Sequence, residues 1–145
     1  MTTVAAILRH KGSDVVTVAP ETPIAEVARI LRDRRIGAVL VTDRIAQLLG
    51  IVSERDIVTS LAGAGAITLE MTAAQLMTRV LSTIHLATTV EQAMTMMTER
   101  RVRHLPVIEQ DRVIGLISIG DVVKARILAQ DQAVDSLRAY IAGTG

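Results

Sequence analysis

The chain has 145 residues, half of them apolar, yet Tyr140 is its single aromatic residue, so the core has to be aliphatic. Sixteen Lys and Arg against fifteen Asp and Glu leave a formal net charge of +1, too balanced for the one-signed field that gathers nucleic acid or an acidic membrane. The apolar content excludes a disordered chain, no run of 18 apolar residues offers a bilayer span, and the lack of cysteine excludes disulfides, thiol nucleophiles and thiolate metal sites. The start, MTTVAAILRHKGSD, is too short in its apolar part and has no small-residue cleavage site, so no secretory signal is expected and a cytoplasmic location is the default.

In chain order the elements come in two matching sets. A β-branched run from Val15 to Val18 leads to Thr22-Pro23, where a threonine cap and a proline at the first helical position announce a helix. Ile24, Val27, Ala28 and Leu31 then follow the i, i+3, i+4, i+7 spacing of one buried face, and the helix is expected to end near Arg34-Arg35. Two apolar runs, Ala38 to Val41 and Leu48 to Val52, flank a short polar turn as a hairpin does, and a second helix is expected near Glu54. Ala62-Gly63-Ala64-Gly65-Ala66 reads as a small-residue linker and Met71 to Met77 as a further helical turn.

The second set opens with Val80 to Ile84. Thr88-x-x-Glu91 reads as a capping box, and Val90, Ala93, Met94 and Met97 form the buried stripe of a helix that again ends near paired arginines. Strands are expected at Leu105 to Ile108 and Val113 to Ser118, with a helix starting near Gly120. Beyond Asp121 a stripe of Val123, Ile127, Val134, Leu137 and Ile141 runs on to Gly143, a helix stop. That last helix is longer than the repeat requires.

The order is β-α-β-β-α, twice. Thr17, Thr22, Arg34, Arg35 and Val41 recur 66 positions later as Thr83, Thr88, Arg100, Arg101 and Val107, whereas Gly50, Ser53 and Asp56 recur 65 later as Gly115, Ser118 and Asp121. The change of offset falls where a hairpin turn tolerates an insertion. A unit of roughly 60 residues buries too little surface to be secure alone. The expectation is an α/β fold of the α+β type, two pseudo-twofold repeats packed sheet to sheet, with a C-terminal helix. The expected divisions are a first repeat over 4–61, a linker over 62–76, a second repeat over 77–130 and a helical extension over 131–145.

The segments Gly50-Ile51-Val52-Ser53-Glu54-Arg55-Asp56 and Gly115-Leu116-Ile117-Ser118-Ile119-Gly120-Asp121 share glycine, two aliphatics, serine and an aspartate three positions on, where a strand meets a helix. A helix N-terminus with a serine hydroxyl can hold phosphate, and a carboxylate in the same turn can accept from two vicinal hydroxyls, as on a ribose. Equally, Ser and Asp are ordinary N-terminal helix caps. The residues by themselves leave both readings open.

The V-T-V opening, the R-R-x-x-x-L-P-V strand of the second copy and the twice-repeated glycine-to-aspartate segment together resemble a tandem pair of cystathionine β-synthase (CBS) domains, the Bateman module, over Val4 to Gln130. The resemblance implies two clefts between the sheets, each shared by both copies, where adenosine nucleotides or related ligands bind. One cleft would take a ribose carboxylate from Asp121 and a hydroxyl from Ser118, completed by Asp14, Val16, Ile36 and Gly37, with Arg103 and His104 at phosphate-binding positions. The other would use Asp56 and Ser53, with Arg55 toward phosphate, completed by Val80, Ser82 and Val102. Without aromatic residues a purine would lie between aliphatics such as Val16, Ile36 and Leu116. Two features depart from the family pattern: Ala38-Val39-Leu40-Val41 lacks the usual proline, and Glu54 sets a negative charge beside the phosphate position. The Asp121 cleft is therefore the stronger candidate.

His10, His85 and His104 lack metal-ligand spacing, so no metal site is expected. Walker, G-x-S-x-G and H-E-x-x-H motifs are absent, so no catalytic residues are expected. The arginine clusters at 32–35 and 100–103 are interleaved with Asp33 and next to Glu99, without aromatic platforms, and read as solvated helix ends or phosphate contacts. Met94, Met96 and Met97 read as core filling. The functional expectation is a stand-alone regulatory module, a homodimer, binding AMP, ATP or NAD(H) as a ligand without a required cofactor. The alternative is an association module with vestigial clefts.

Overall fold

The structure, a computed structural model, describes residues 2–12, 15–79 and 82–142. After helix α1 (Val4–Lys11) the first half runs β1 (Thr17–Val18), α2 (Ile24–Arg34), β2 (Ala38–Thr42), β3 (Leu48–Ser53) and α3 (Glu54–Ala64). A 3-10 turn over Gly65–Glu70 leads to α4 (Ala73–Leu76) and β4 (Thr78–Arg79). The second half is α5 (Val90–Arg100), β5 (His104–Glu109), β6 (Arg112–Ser118) and α6 (Ile119–Ile141). The first sheet has the order β1-β2-β3-β4, with β1 parallel to β2 and the other pairs antiparallel. In the second, β5 and β6 pair antiparallel and Ile84 bridges Val107 in parallel, as Val18 does Val41 in the first.

The internal duplication is visible residue by residue. Val41 pairs with Gly50 and Val107 with Gly115, each beside a register shift, and the first hairpin holds one residue more, which accounts for the change of offset. Both α2 and α5 end on an arginine in the left-handed region, Arg35 at φ 54° and Arg101 at φ 55°.

Each half has its own aliphatic core; that of the first half lies within residues 16–77, whereas that of the second joins α1 to residues 84–125. Val4, Ile7 and Leu8 of α1 pack with Ile84, Ala93, Leu105 and Ile117 of the second half. Ala73 of α4, with Met71, Leu76 and Met77 around it, packs with Ile24, Val27, Val39 and Val52 of the first. The docking is equivalent down to the backbone. Val4 N donates to Thr88 O and Ala5 N to Leu86 O, and correspondingly Ala73 N donates to Thr22 O and Ala74 N to Pro20 O. The opposite sheet faces are buried as well, with Ala38 and Leu40 in one half and Pro106 in the other. This is the sheet-to-sheet contact between the halves.

Several local expectations shift. The capping box of α5 is Thr89 with Gln92, not Thr88 with Glu91. Thr88 uses its hydroxyl to accept from His85 N in the preceding turn (3.1 Å), so the helix starts one residue later. Thr22 does not cap α2; Pro23 occupies the cap position, and Ile24 N is satisfied across the chain by Met71 O (2.8 Å). The run from Ala62 is no extended linker, because α3 continues to Ala64 and the chain turns at Gly65, φ 72°. β1 is only Thr17–Val18, and of Val80 to Ile84 the part at Val80 and Leu81 lies outside the described residues. α6 ends at Ile141, short of Gly143, which also lies outside them. No helix among the described residues is long and apolar enough to cross a membrane.

The close approach of α1 and α4 to the sheets rests on two glycines. A methyl at Gly50 would meet Met77 Sδ at 2.6 Å and the Thr78 carbonyl oxygen at 2.8 Å, and one at Gly115 would meet the two Leu8 methyl carbons at 2.8 Å. The Leu8 tip can rotate away; the carbonyl of a paired strand cannot. Gly50→Ala is therefore expected to lower stability by about 1–3 kcal/mol and Gly115→Ala by less. Urea unfolding midpoints check this, and equal losses would show that Leu8 is held as rigidly as the strand.

Candidate functional site

Both repeats turn from strand to helix through the same hydrogen bonds. At the start of α3 the Ser53 hydroxyl accepts from Asp56 N (3.3 Å), while Asp56 Oδ2 accepts from Ser53 N (2.9 Å) and from the Ser53 hydroxyl (3.0 Å). At the start of α6, Ser118 Oγ accepts from Asp121 N (3.2 Å) and Asp121 Oδ2 from Ser118 N (2.8 Å). The capping reading of these residues therefore holds at both places, each a reciprocal box that fixes the carboxylate at the helix mouth. Glu54 N donates to Gly37 O and Ile119 N to Arg103 O. The amides of Glu54 and Asp56 in one first turn, and of Ile119 and Asp121 in the other, are thus spent within the fold.

Each box opens onto a cleft completed by the other half. The Asp121 cleft, about 410 Å³, is lined by Lys11, Gly12, Val15, Val16, Arg35, Ile36, Gly37, Ala38, His104, Leu116, Ser118 and Asp121. The Asp56 cleft, about 270 Å³, is lined by Gly37, Ile51, Ser53, Glu54, Arg55, Asp56, Thr78 and the segment Arg101 to His104. The two share a wall at Gly37 and His104, where a methyl on Gly37 would stand 3.3 Å from His104 Nε2. Among the described residues no cluster of His, Asp and Glu could hold a metal ion.

The electrostatics of the two carboxylates differ. Lys11 Nζ donates to Asp121 Oδ2 at 2.7 Å and to Leu116 O at 3.0 Å. Burial would raise the Asp121 pKa, but the Lys11 hydrogen bond, the Ser118 backbone N–H and the Lys11 charge outweigh it and hold the carboxyl below its ordinary range. Asp56 has no such cation; Thr78 Oγ1 donates to its Oδ1 at 3.3 Å. Burial, then the Lys11 charge, push the His104 imidazole below its ordinary value of 6.5, against the opposing pull of Asp121 and Glu54.

Most residues singled out in the sequence meet as expected. Val16, Ile36, Gly37, His104, Leu116, Ser118 and Asp121 share one cleft, and Ser53, Arg55, Asp56 and Val102 share the other. Arg103 lines the Asp56 cleft rather than the Asp121 cleft, because its neighbour His104 takes the side facing Gly37. Ser82 lines neither, and Asp14 and Val80 lie outside the described residues. Lys11, Arg35, Arg101 and Thr78 were not singled out as site residues. Arg35 and Arg101 carried a signal, since they recur in the repeat. Lys11 carried none, its partner being 110 positions away.

The CBS domain profile matches residues 4–63 and 73–128. The mitochondrial CBS domain-containing protein CBSX3 of Arabidopsis thaliana is 30% identical over 150 residues, covering 98% of this chain and 73% of that protein. Some other curated relatives are larger, and the chain spans 25% of one of them, CBSCBSPB1 of the same plant. Among solved structures, the CBS-domain containing protein ATU1752 from Agrobacterium tumefaciens is 47% identical with a TM-score of 0.83, over 86% of this chain and 99% of that one. The CBS domain pair of protein MJ0100, solved in complex with 5′-methylthioadenosine and S-adenosyl-L-methionine, is 26% identical with a TM-score of 0.77, over 90% of this chain and 98% of that one.

His104 gives the fold a pH dependence of known sign. Its folded-state pKa is below the 6.5 at which the unfolded chain titrates, so the unfolded chain binds the proton more readily. The contribution is fully present above pH 6.5 and falls as pH drops from 6.5 through the lowered value. Urea midpoints between pH 8 and pH 5 are expected to decline in the parent chain and to flatten in His104→Gln; parallel profiles would show that His104 is not the group responsible.

Proposed function

The chain belongs to the CBS-domain family as a tandem pair of repeats, and on that premise we propose that it is a regulatory ligand sensor holding an adenosine nucleotide or dinucleotide, of the AMP, ATP or NAD(H) type, between its repeats without turning it over. The observation that carries this reading is the pair of capping-box carboxylates, each at the mouth of a cleft that the opposite half completes. A ligand in such a cleft touches both halves, so its differential affinity can bias their relative arrangement. The similarity to MJ0100, solved with two adenosine-containing ligands, supports the ligand class.

In the Asp121 cleft, Asp121 and Ser118 would meet the ribose, Val16, Ile36 and Leu116 the purine, and Lys11 and Arg35 the phosphate, with Asp14 completing the rim. The Asp56 cleft, with Ser53, Arg55, Val102 and Arg103, is smaller and carries Glu54 among its basic groups, so the first site to fill is the Asp121 cleft. Val80 and Ser82 would complete the Asp56 cleft. A cytoplasmic site of action and the absence of catalysis belong to the same proposal.

Isothermal calorimetry on ligand-free protein with AMP, ATP, NADH and S-adenosylmethionine tests it. At least one phosphorylated ligand is expected to bind with a Kd of about 1 μM to 100 μM, and no binding below millimolar for any of them would overturn the reading. Asp121→Asn is expected to weaken that ligand by about tenfold or more, the loss of roughly one charge-assisted hydrogen bond, while shifting Tm by only a few degrees. A fall in Tm with affinity intact would leave Asp121 as a cap alone.

A second reading, association, is favoured by one region. Beyond Ala129, α6 presents Val134, Leu137 and Ile141, 46%, 58% and 75% exposed, along one stripe. An exposed helical stripe gains little from propensity alone, so a second copy is the expected cover. Light scattering is expected to show a homodimer for the full chain and a weaker one for a chain ending at Ala129. An unchanged dimer would remove this stripe from the interface.

A further inference from the structure

We infer that Lys11 is a built-in occupant of the Asp121 carboxylate, making this cleft selective for adenosine ligands that carry a phosphate over neutral adenosine and cationic S-adenosylmethionine. The inference rests on the reading of the Asp121 cleft as an adenosine site and adds what that site must exchange to be filled.

A vicinal diol presents two O–H donors and is held best when both carboxylate oxygens are available to it. In this structure Oδ2 already accepts from Ser118 N at 2.8 Å and from Lys11 Nζ at 2.7 Å. The ammonium therefore satisfies one of the two oxygens and neutralises the charge that would draw the diol. Lys11 ends α1, whose Val4, Ile7 and Leu8 anchor it in the core of the second half, so the side chain is delivered to Asp121 by a fixed helix. The pair is partly covered, with the Lys11 side chain 39% and the Asp121 side chain 22% exposed.

A ligand that claims both oxygens must move the ammonium, and a displaced charge that finds no counter-ion raises the cost of binding. Asp121 is the single carboxylate lining the cleft among the described residues. On the far side of the ion pair, a groove of about 280 Å³ between α1 and α6 adds His10 and Lys124 as its ionisable groups. Among the described residues lining the cleft, a new counter-ion for the displaced ammonium has then to come with the ligand. A 5′-phosphate supplies it, and the four-carbon stem and three donors of lysine let the ammonium turn from carboxylate to phosphate without moving α1. Adenosine brings no anion. S-adenosylmethionine brings a carboxylate but also a sulfonium and an ammonium, so it meets Lys11 and Arg35 as a net cation.

The prediction has an unusual sign: removing a cation from the site improves the binding of a neutral ligand. Calorimetry of the full chain, with AMP, adenosine and S-adenosylmethionine as probes, is compared for the parent, Lys11→Met, Lys11→Gln and Lys11→Arg. The Met and Gln variants are expected to bind adenosine about five- to tenfold more tightly than the parent and AMP no more tightly, so that the AMP preference falls by about tenfold. Lys11→Arg is expected to keep that preference. If Lys11→Met and Lys11→Gln weaken AMP while leaving adenosine unchanged, Lys11 is a plain phosphate contact and the occupant role is wrong. If they weaken both ligands equally with a fall in Tm, its role is structural, and unchanged affinities overturn the inference as well. Failure of the parent and every variant to bind any of the three overturns the adenosine reading itself, and this inference with it.

Discussion

Leu8 lies over Gly115 and Met77 over Gly50 so closely that a methyl on either glycine would stand 2.8 Å and 2.6 Å from them, and through these contacts α1 closes the core of the second half and the end of α4 that of the first. Because α1 precedes the first half in the chain yet packs in the second, it ties the two together. The second half would lose Val4, Ile7 and Leu8 from its interior without α1, and the first would lose Ala73 without α4. The glycines lie in strands β3 and β6, three residues before the serines that cap α3 and α6.

What was legible in the sequence was whatever depends on nearby residues. The stripes Ile24-Val27-Leu31 and Val90-Ala93-Met97 fixed two helices, and Gly50 and Gly115 repeated at an offset that located the hairpin insertion. The errors lie where a distant segment completes local chemistry. Thr22-Pro23 reads as a self-sufficient helix start, yet Ile24 N is satisfied by Met71 O. Thr88 reads as a cap because a glutamate follows at the right spacing, but its hydroxyl is claimed by His85 N. The docking of α1 on the second half leaves no trace in periodicity, since an apolar stripe does not record which half it will cover.

The site shows the same division. The Ser-x-x-Asp boxes are local and legible, and the structure adds that both carboxylates line a cleft while they cap. A box that fixes Asp121 at the helix mouth also orients its carboxylate toward the cleft, so that part of the order needed for binding is established on folding. What could not be read was the charge balance within each cleft. Lys11 reaches Asp121 across almost the whole chain, and His104 is set between the clefts by the packing of one sheet on the other. Arg103 and His104 are adjacent in sequence but differ in placement, His104 lining both clefts and Arg103 only one, because successive residues around a strand end turn to opposite sides.

The left-handed arginines that end α2 and α5 bear on the history of this stability. A residue with a Cβ at φ near +55° is strained by roughly 1–2 kcal/mol, and glycine is the usual choice at such a helix end. Both copies nevertheless hold arginine, at Arg35 and Arg101, and each lines a different cleft. The fold thus forgoes rigidity at two symmetry-related points and keeps a mobile positive charge at each opening. Two of the strained backbone positions are thus also cations lining the clefts, so an anion entering either cleft meets the fold where it has conceded stability.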